Sequence, residues 1–301
     1  MQQTTIPAFL NSKAGTADDA KKILEESGHF EVHSVEPDKL KSSIQAEVDK
    51  GAKRILISGG DGSVATAASV VVNSDVELAV LPGGTLNHFA KDNGIPTDLK
   101  EAVQVAVNGT TRKVDVGFVH ERIFLNTSSI GAYVTFVRVR ERFEKTFGYR
   151  IASALAFIRI MTRLRPVGVK VEVDGKMNTY RSPVVFVGVG QRELKMPSLG
   201  SRVTGGERGL QVIVVSGSSA ARVLALAFAA VARGTRSASR TPDMDSFIVE
   251  KFSIELRHAS ANVAVDGEIV VMETPLEYRI AREALTVVVP SDSPLQQDNQ
   301  G

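Results

Sequence analysis

Short runs rich in β-branched residues alternate with helical patterns through the first 120 residues, and this alternation restricts that part of the chain to a parallel sheet with crossover helices. The apolar runs 6–10, 30–35, 54–58 and 77–81 read as strands. Between them lie the helical patterns 16–27, stopped by Gly28, 37–50, stopped by Gly51, and 64–72. Glycine is the residue that leaves a helix through the left-handed region without a Cβ penalty. A short helix from Thr85, ended by Gly94 and Pro96, and a helix over 98–107 complete this part. In the second of these, Asp98 and Glu101 have the spacing of a capping box.

From about Arg112 the texture changes to strands joined by tight turns. Runs 167–173 and 178–181 flank Asp174-Gly175, and runs 262–265 and 269–272 flank Asp266-Gly267. Asp-Gly between alternating runs is the strongest short hairpin signal. Strands are also predicted at 184–189, 210–215, 247–256, 276–280 and 285–289, interrupted by helical stretches at 133–164 and 219–232. The expected architecture is therefore α/β plus β. An α/β domain spans 1–120, a β-rich domain spans 121–290, and a polar tail covers 291–301.

Two domains suit a chain of 301 residues, and 43% hydrophobic residues against 23% charged ones are enough for sizeable cores. The 36 basic and 34 acidic side chains leave a net charge of +2, too small for bulk attraction to nucleic acid. The absence of cysteine excludes disulfides and thiolate chemistry and fits a reducing cytosol. The first residues lack a basic segment followed by a long apolar run, so no signal peptide is expected. The most apolar stretch, 220–232, is 13 residues long and broken by Arg222. A membrane span needs about 20. The expected location is the cytoplasm, with any membrane contact peripheral, at the inner face.

The sharpest chemical signal is Gly59-Gly60-Asp61-Gly62-Ser63, between an apolar strand and a helix. Glycines let the backbone turn sharply and bring its N–H groups to a ligand, and the helix N-terminus that follows favours an anion such as phosphate. Asp61 would repel phosphate unless a Mg²⁺ sits between them, which points to a metal-bridged triphosphate with Asp61 as metal ligand. The competing reading is a plain strand-to-helix turn with Asp61 as the cap. A second Gly-rich turn follows the next strand, with Gly84, Thr85 and Asn87 opening another helix. Asn11 and Lys13 follow the first strand, adding an amide and a phosphate-neutralising cation. Successive strand ends of a parallel sheet lie side by side, so the three loops should border one crevice.

These segments resemble a known family. Gly59 to Ser63 is similar to the GGDGT signature of diacylglycerol and sphingosine kinases, Pro82 to Ala90 to their PxGTxNDFA stretch, and Asn11 to Gly15 to their NPxSG loop. Phe124-Leu125-Asn126 with Gly131-Ala132 resembles the FxN…G segment, Asp266-Gly267-Glu268 the late DGE, and 289–295 the closing LPxxCPL. The order along the chain is the family's. The resemblance implies a Rossmann-like nucleotide-binding domain, a C-terminal β-sandwich-like lipid-binding domain, and catalysis in the cleft between them. It further implies ATP and Mg²⁺ as cofactors, a lipid substrate, and Glu268, with Asp266 beside it, as the general base toward the acceptor hydroxyl. Phosphoryl transfer asks for little else than a triphosphate cradle, a divalent cation and one carboxylate near the nucleophile. Asp266 is also what a type I′ turn wants at that position, so on the turn reading Asp266→Asn should cost little.

Three positions depart from the family pattern. His88 stands where Asp is usual, Ser63 replaces Thr, and Arg208-Gly209-Leu210 occupies the place of an Asp-Gly-Leu that helps related bacterial enzymes hold a second, structural Mg²⁺. A guanidinium cannot ligate a cation, which argues against that second site. Between Arg138 and Arg165, eight basic residues are interleaved with apolar ones over 28 positions. Such a stretch reads either as a face for an anionic membrane surface or as a solvated helix face. A homodimer is a further open partner. The GGDG chemistry is shared with NAD kinases and phosphofructokinases, so a soluble kinase of that type is one alternative, and a non-catalytic nucleotide- or lipid-binding regulator is another.

Overall fold

The computed structural model describes residues 5–131, 134, 167–173, 175–192, 202–203, 205–215 and 244–291. Two compact units account for the chain, Met1–Val116 with Ala281–Gly301, and Gly117–Ile280. Apart from Val134, the helical patterns at 133–164 and 219–232, the basic stretch 138–165 and most of the tail lie outside the described residues.

In the first unit the elements run β1 (Ile6–Asn11), α1 (Ala17–Ser27), β2 (Phe30–Val35), α2 (Leu40–Asp49), β3 (Arg54–Gly59), α3 (Asp61–Val71), β4 (Glu77–Pro82), α4 (His88–Asp92) and α5 (Leu99–Asn108). The strands pair in parallel in the order β2-β1-β3-β4. Their central residues, such as Phe9, Leu56 and Leu81, are buried, as a sheet covered on both faces requires. Helix α1 packs with α5, and α2 with α3. Gly28 ends α1 at φ 70, and the Asp98 side chain caps α5 by accepting from the N–H groups of Lys100 and Glu101. Three helix starts differ from the sequence reading by three residues, and in the first of them α2 begins at Leu40 rather than at 37. α3 begins at Asp61 rather than at 64, because Gly60 is extended (φ −84, ψ −178) and releases the chain directly into the first turn. α4 begins at His88 rather than at Thr85, because Asn87 adopts φ 50 and closes a loop on Gly84 first.

Strand β5 (Thr110–Val119) leaves the first unit and leads into β6 (Arg122–Phe124), β7 (Thr127–Gly131), β8 (Val167–Val173), β9 (Lys176–Ser182), β10 (Val184–Val189), β11 (Leu210–Val215), β12 (Met244–Val249), β13 (Lys251–Leu256), β14 (Ser260–Val265), β15 (Glu268–Glu273) and β16 (Leu276–Val289). One antiparallel sheet has the order β12-β11-β10-β7-β14-β15, while β13 pairs with β8 and with the start of β16, and β8 pairs with β9. Val187, Val212 and Val263 from the former share one core with Ile254, Leu276 and Tyr278 from the latter. The Tyr278 ring stacks on Phe252 at 4.8 Å, and burial raises its hydroxyl pKa well above the ordinary range while the hydrogen bond to Ser128 opposes the shift. The run 247–256, expected as one strand, is divided at Glu250 into β12 and β13, which pair with different neighbours.

The end of the chain also departs from expectation. The runs 276–280 and 285–289 form one strand, β16, whose last residues pair in parallel with β4 through Thr286↔Glu77 and Val287↔Leu78. Residues 281–289 therefore fall in the first unit and not with the β-rich segment, and the first crossing lies after Val116 rather than after residue 120. Glu283 within β16 sits at φ 53, and its N–H donates to the buried carboxylate of Asp115, which also accepts from Arg282.

Candidate nucleotide site and acidic turn

Parallel register aligns the carboxyl ends of three strands, with Leu10 opposite Ser58, Ser58 opposite Leu81 and Gly59 opposite Pro82. The three Gly-rich loops therefore leave the sheet side by side. The Asn11 amide donates to Ser63 Oγ at 2.9 Å and its Oδ1 accepts from the Lys13 N–H. Gly83 N–H donates to Gly59 O at 2.9 Å, and Thr16 Oγ1 donates to Gly83 O at 3.4 Å. Thr16 was not singled out from sequence, since a lone threonine before a helix reads as an ordinary cap.

The glycines are required by close approach. A methyl group on Gly84 would lie 2.5 Å from Gly60 Cα, and one on Gly83 would lie 3.2 Å from Gly59 Cα. At Gly59 it would meet Ser63 Oγ at 2.6 Å. Two backbone segments thus run against each other with no side chain between them. The start of α3 carries no side-chain cap, and with the Ser63 N–H donating to Gly60 O the N–H groups of Asp61 and Gly62 are left for an anion.

Asp61 does not cap its own helix, the role that the plain-turn reading expected. Its carboxylate reaches the next loop and accepts the N–H groups of His88 at 3.1 Å and Phe89 at 3.0 Å, capping α4 rather than its own helix. Asn87 spends its amide on Gly84, donating to its O and accepting from its N–H. Thr85 and Lys13 are exposed, and Lys13 forms no ion pair among the described residues.

The acidic turn belongs to the second unit. Val265 pairs with Glu268, leaving Asp266 (φ 45) and Gly267 (φ 90) as a two-residue loop with both residues left-handed, as a type I′ turn demands. Asp266 does more than turn the chain. Its carboxylate accepts three consecutive N–H groups, from Leu125 at 2.7 Å and from Asn126 and Thr127 at 2.9 Å. This corrects the turn-only reading, because an amide cannot accept with both ends. Glu268 is exposed and pairs with Arg122 Nη2. An exposed pair contributes at most about 1 kcal/mol, so Arg122 orients the carboxylate without locking it.

A triphosphate fits the residues at the loops, where an uncapped helix start faces a glycine-lined backbone surface. A divalent cation fits more sparingly. Among the described residues there is no group of three or more His, Cys, Asp or Glu able to hold a metal ion. Asp61, with two of its roughly four lone-pair sites spent on N–H groups, would share such a cation with phosphate oxygens.

Residues 6–119 match the model of the diacylglycerol kinase catalytic domain. The chain is 28% identical over 137 residues to a diacylglycerol kinase of Mycobacterium tuberculosis, covering 44% of each protein. It is 32% identical over 126 residues to the diacylglycerol kinase of Bacillus subtilis, covering 41% of this chain and 42% of that protein. The chain thus spans less than half the length of these two relatives. A crystal structure of a diacylglycerol kinase from Bacillus anthracis shares the fold, with a TM-score of 0.69 over 96% of this chain and 98% of that one at 17% identity.

Proposed function

We propose, from the resemblance to diacylglycerol kinases, that this chain is an ATP-dependent kinase that phosphorylates a hydroxyl of diacylglycerol or a related lipid. The observation that carries the reading is the backbone-to-backbone contact of the loops at Gly59–Gly60 and Gly83–Gly84 beside the uncapped start of α3. The first unit is read as a Rossmann-like nucleotide-binding domain. The second is read as a β-sandwich-like lipid domain, a reading supported by the common core of its two sets of strands.

On this reading the N–H groups of Gly60, Asp61 and Gly62 cradle phosphate oxygens. Asn11 holds Ser63 so that its hydroxyl hydrogen is free to donate to the nucleotide, and Lys13 neutralises phosphate charge. Mg²⁺, when bound, screens the charge of the triphosphate and of the leaving diphosphate. Gly84, Thr85 and Asn87 shape the opposite wall. In the second unit Glu268 accepts the proton of the acceptor hydroxyl as that oxygen bonds to the γ-phosphorus and the bond to the β-phosphate oxygen breaks. Asp266 keeps the turn that carries Glu268 in place. The products are a phosphorylated lipid and ADP. Among the described residues no helix is long and apolar enough to cross a membrane. We propose a cytoplasmic protein that meets its lipid at an anionic membrane surface.

The test is consumption of ATP by the purified chain with lipid extract, with NAD⁺ and fructose 6-phosphate as parallel acceptors. Lipid-dependent consumption supports the reading. Consumption only with NAD⁺ or the sugar phosphate replaces it with a soluble kinase, and consumption with none makes the chain a binding protein.

A further inference from the structure

α4 has only five residues, and a helix that short does not hold itself together in water. Its position must be imposed from outside, and both ends show how. The first two N–H groups are taken by Asp61 of the preceding glycine loop. At the other end Gly94 (φ 69) donates to Lys91 O and Ile95 to Ala90 O, a Schellman closure. Asn93 is buried at this closure, and its Nδ2 donates to Phe89 O at 2.7 Å. Its Oδ1 accepts from Arg112 Nη2 of β5, also at 2.7 Å. The amide orientation is therefore fixed by two partners, one inside the helix and one on a strand of the same unit.

We propose that Arg112, acting through Asn93, is a positioning residue for the nucleotide. It anchors the far end of α4, so that Asn87 and Gly84 stay against Gly60 and the Phe89 turn stays on Asp61. The inference rests on the reading of these loops as an ATP cradle. A bidentate-capable guanidinium is needed because its planar fork can reach a buried amide oxygen along a fixed direction, which a lysine ammonium does not reproduce.

The experiment measures binding of MgATP, without lipid, to the wild type, Arg112→Met, Arg112→Lys and the pair Asn93→Leu/Arg112→Met, together with thermal stability and amide hydrogen exchange over 84–95. Arg112→Met leaves the buried Asn93 oxygen unpaired, so MgATP affinity should fall about tenfold, the equivalent of about 1.4 kcal/mol. Exchange should rise at 87–90 before it rises in β3 or β4. Arg112→Lys should recover only part of the loss. The pair removes both polar partners and should regain stability while MgATP affinity stays low, a split that packing alone would not produce. Wild-type affinity in a folded Arg112→Met protein, or recovery of both stability and affinity in the pair, overturns the positioning role. No MgATP binding by the wild type overturns the cradle reading itself, and the inference with it.

Discussion

Asp61 in the first unit and Asp266 in the second use the same device with different consequences. Each sends a carboxylate to consecutive backbone N–H groups far along the chain, across 27 and 28 residues for Asp61 and 139 to 141 for Asp266. Asp61 takes two N–H groups at the start of a short helix and keeps acceptor capacity for a cation. Asp266 takes three from an extended segment and is more fully spent. The comparison teaches that an aspartate in a glycine-rich motif can be a fold element first, and that its chemistry is what the clamp leaves over.

The strongest test of the division of roles is Glu268→Gln. With Asp266 occupied by backbone, Glu268 is the carboxylate of this turn left to accept a proton, and its loss should lower kcat by about 10²–10⁴-fold with ATP affinity unchanged. Rapid-quench phosphorylation at matched ATP occupancy measures this, and an unchanged kcat takes the base out of the turn. Next in size, Gly84→Ala drives a methyl group into the Gly60 backbone at 2.5 Å, which neither rigid segment can yield to cheaply. Stability should fall by about 1–3 kcal/mol in denaturant titration and ATP binding should be largely lost.

The two aspartates are then compared directly. Asp266→Asn turns an amide toward N–H donors and should destabilise by about 1–3 kcal/mol, more than Asp61→Asn does, while Asp61→Asn should cost more in MgATP binding. Equal effects on both readouts would erase the distinction drawn between the clamps. The smallest effect belongs to Gly15→Ala, where a methyl group meets nothing within 4 Å and φ is not left-handed. Stability and ATP affinity should stay at wild-type values. A large loss there would mean that loop glycines matter for flexibility and not for close approach.

Much of the first unit was legible because its signals are local. Strand, glycine and helix follow one another in sequence, and β2 has the expected bounds, 30–35. The side-by-side placement of the loops follows from parallel pairing alone. The long-range clamps were not legible. Nothing near Asp61 points to His88 and Phe89, and the Asp-Gly turn explains Asp266 so well locally that its carboxylate's partners near Asn126 leave no trace in the pattern. Asn93 and Arg112 look like an ordinary helix end and an ordinary strand residue. Strand β16 was divided in the reading because polar residues around Glu283 interrupt its alternation, whereas the buried Asp115 carboxylate holds that irregular point in place.

The most direct measurement of the central claim is transfer of label from γ-labelled ATP to fractionated lipids, with the labelled product identified, using the wild type and Glu268→Gln side by side. The account predicts label in a hydroxyl-bearing lipid fraction such as diacylglycerol with the wild type, and a loss of about 10²-fold or more with Glu268→Gln. Label that never enters lipid, or that enters it equally with both proteins, would contradict it.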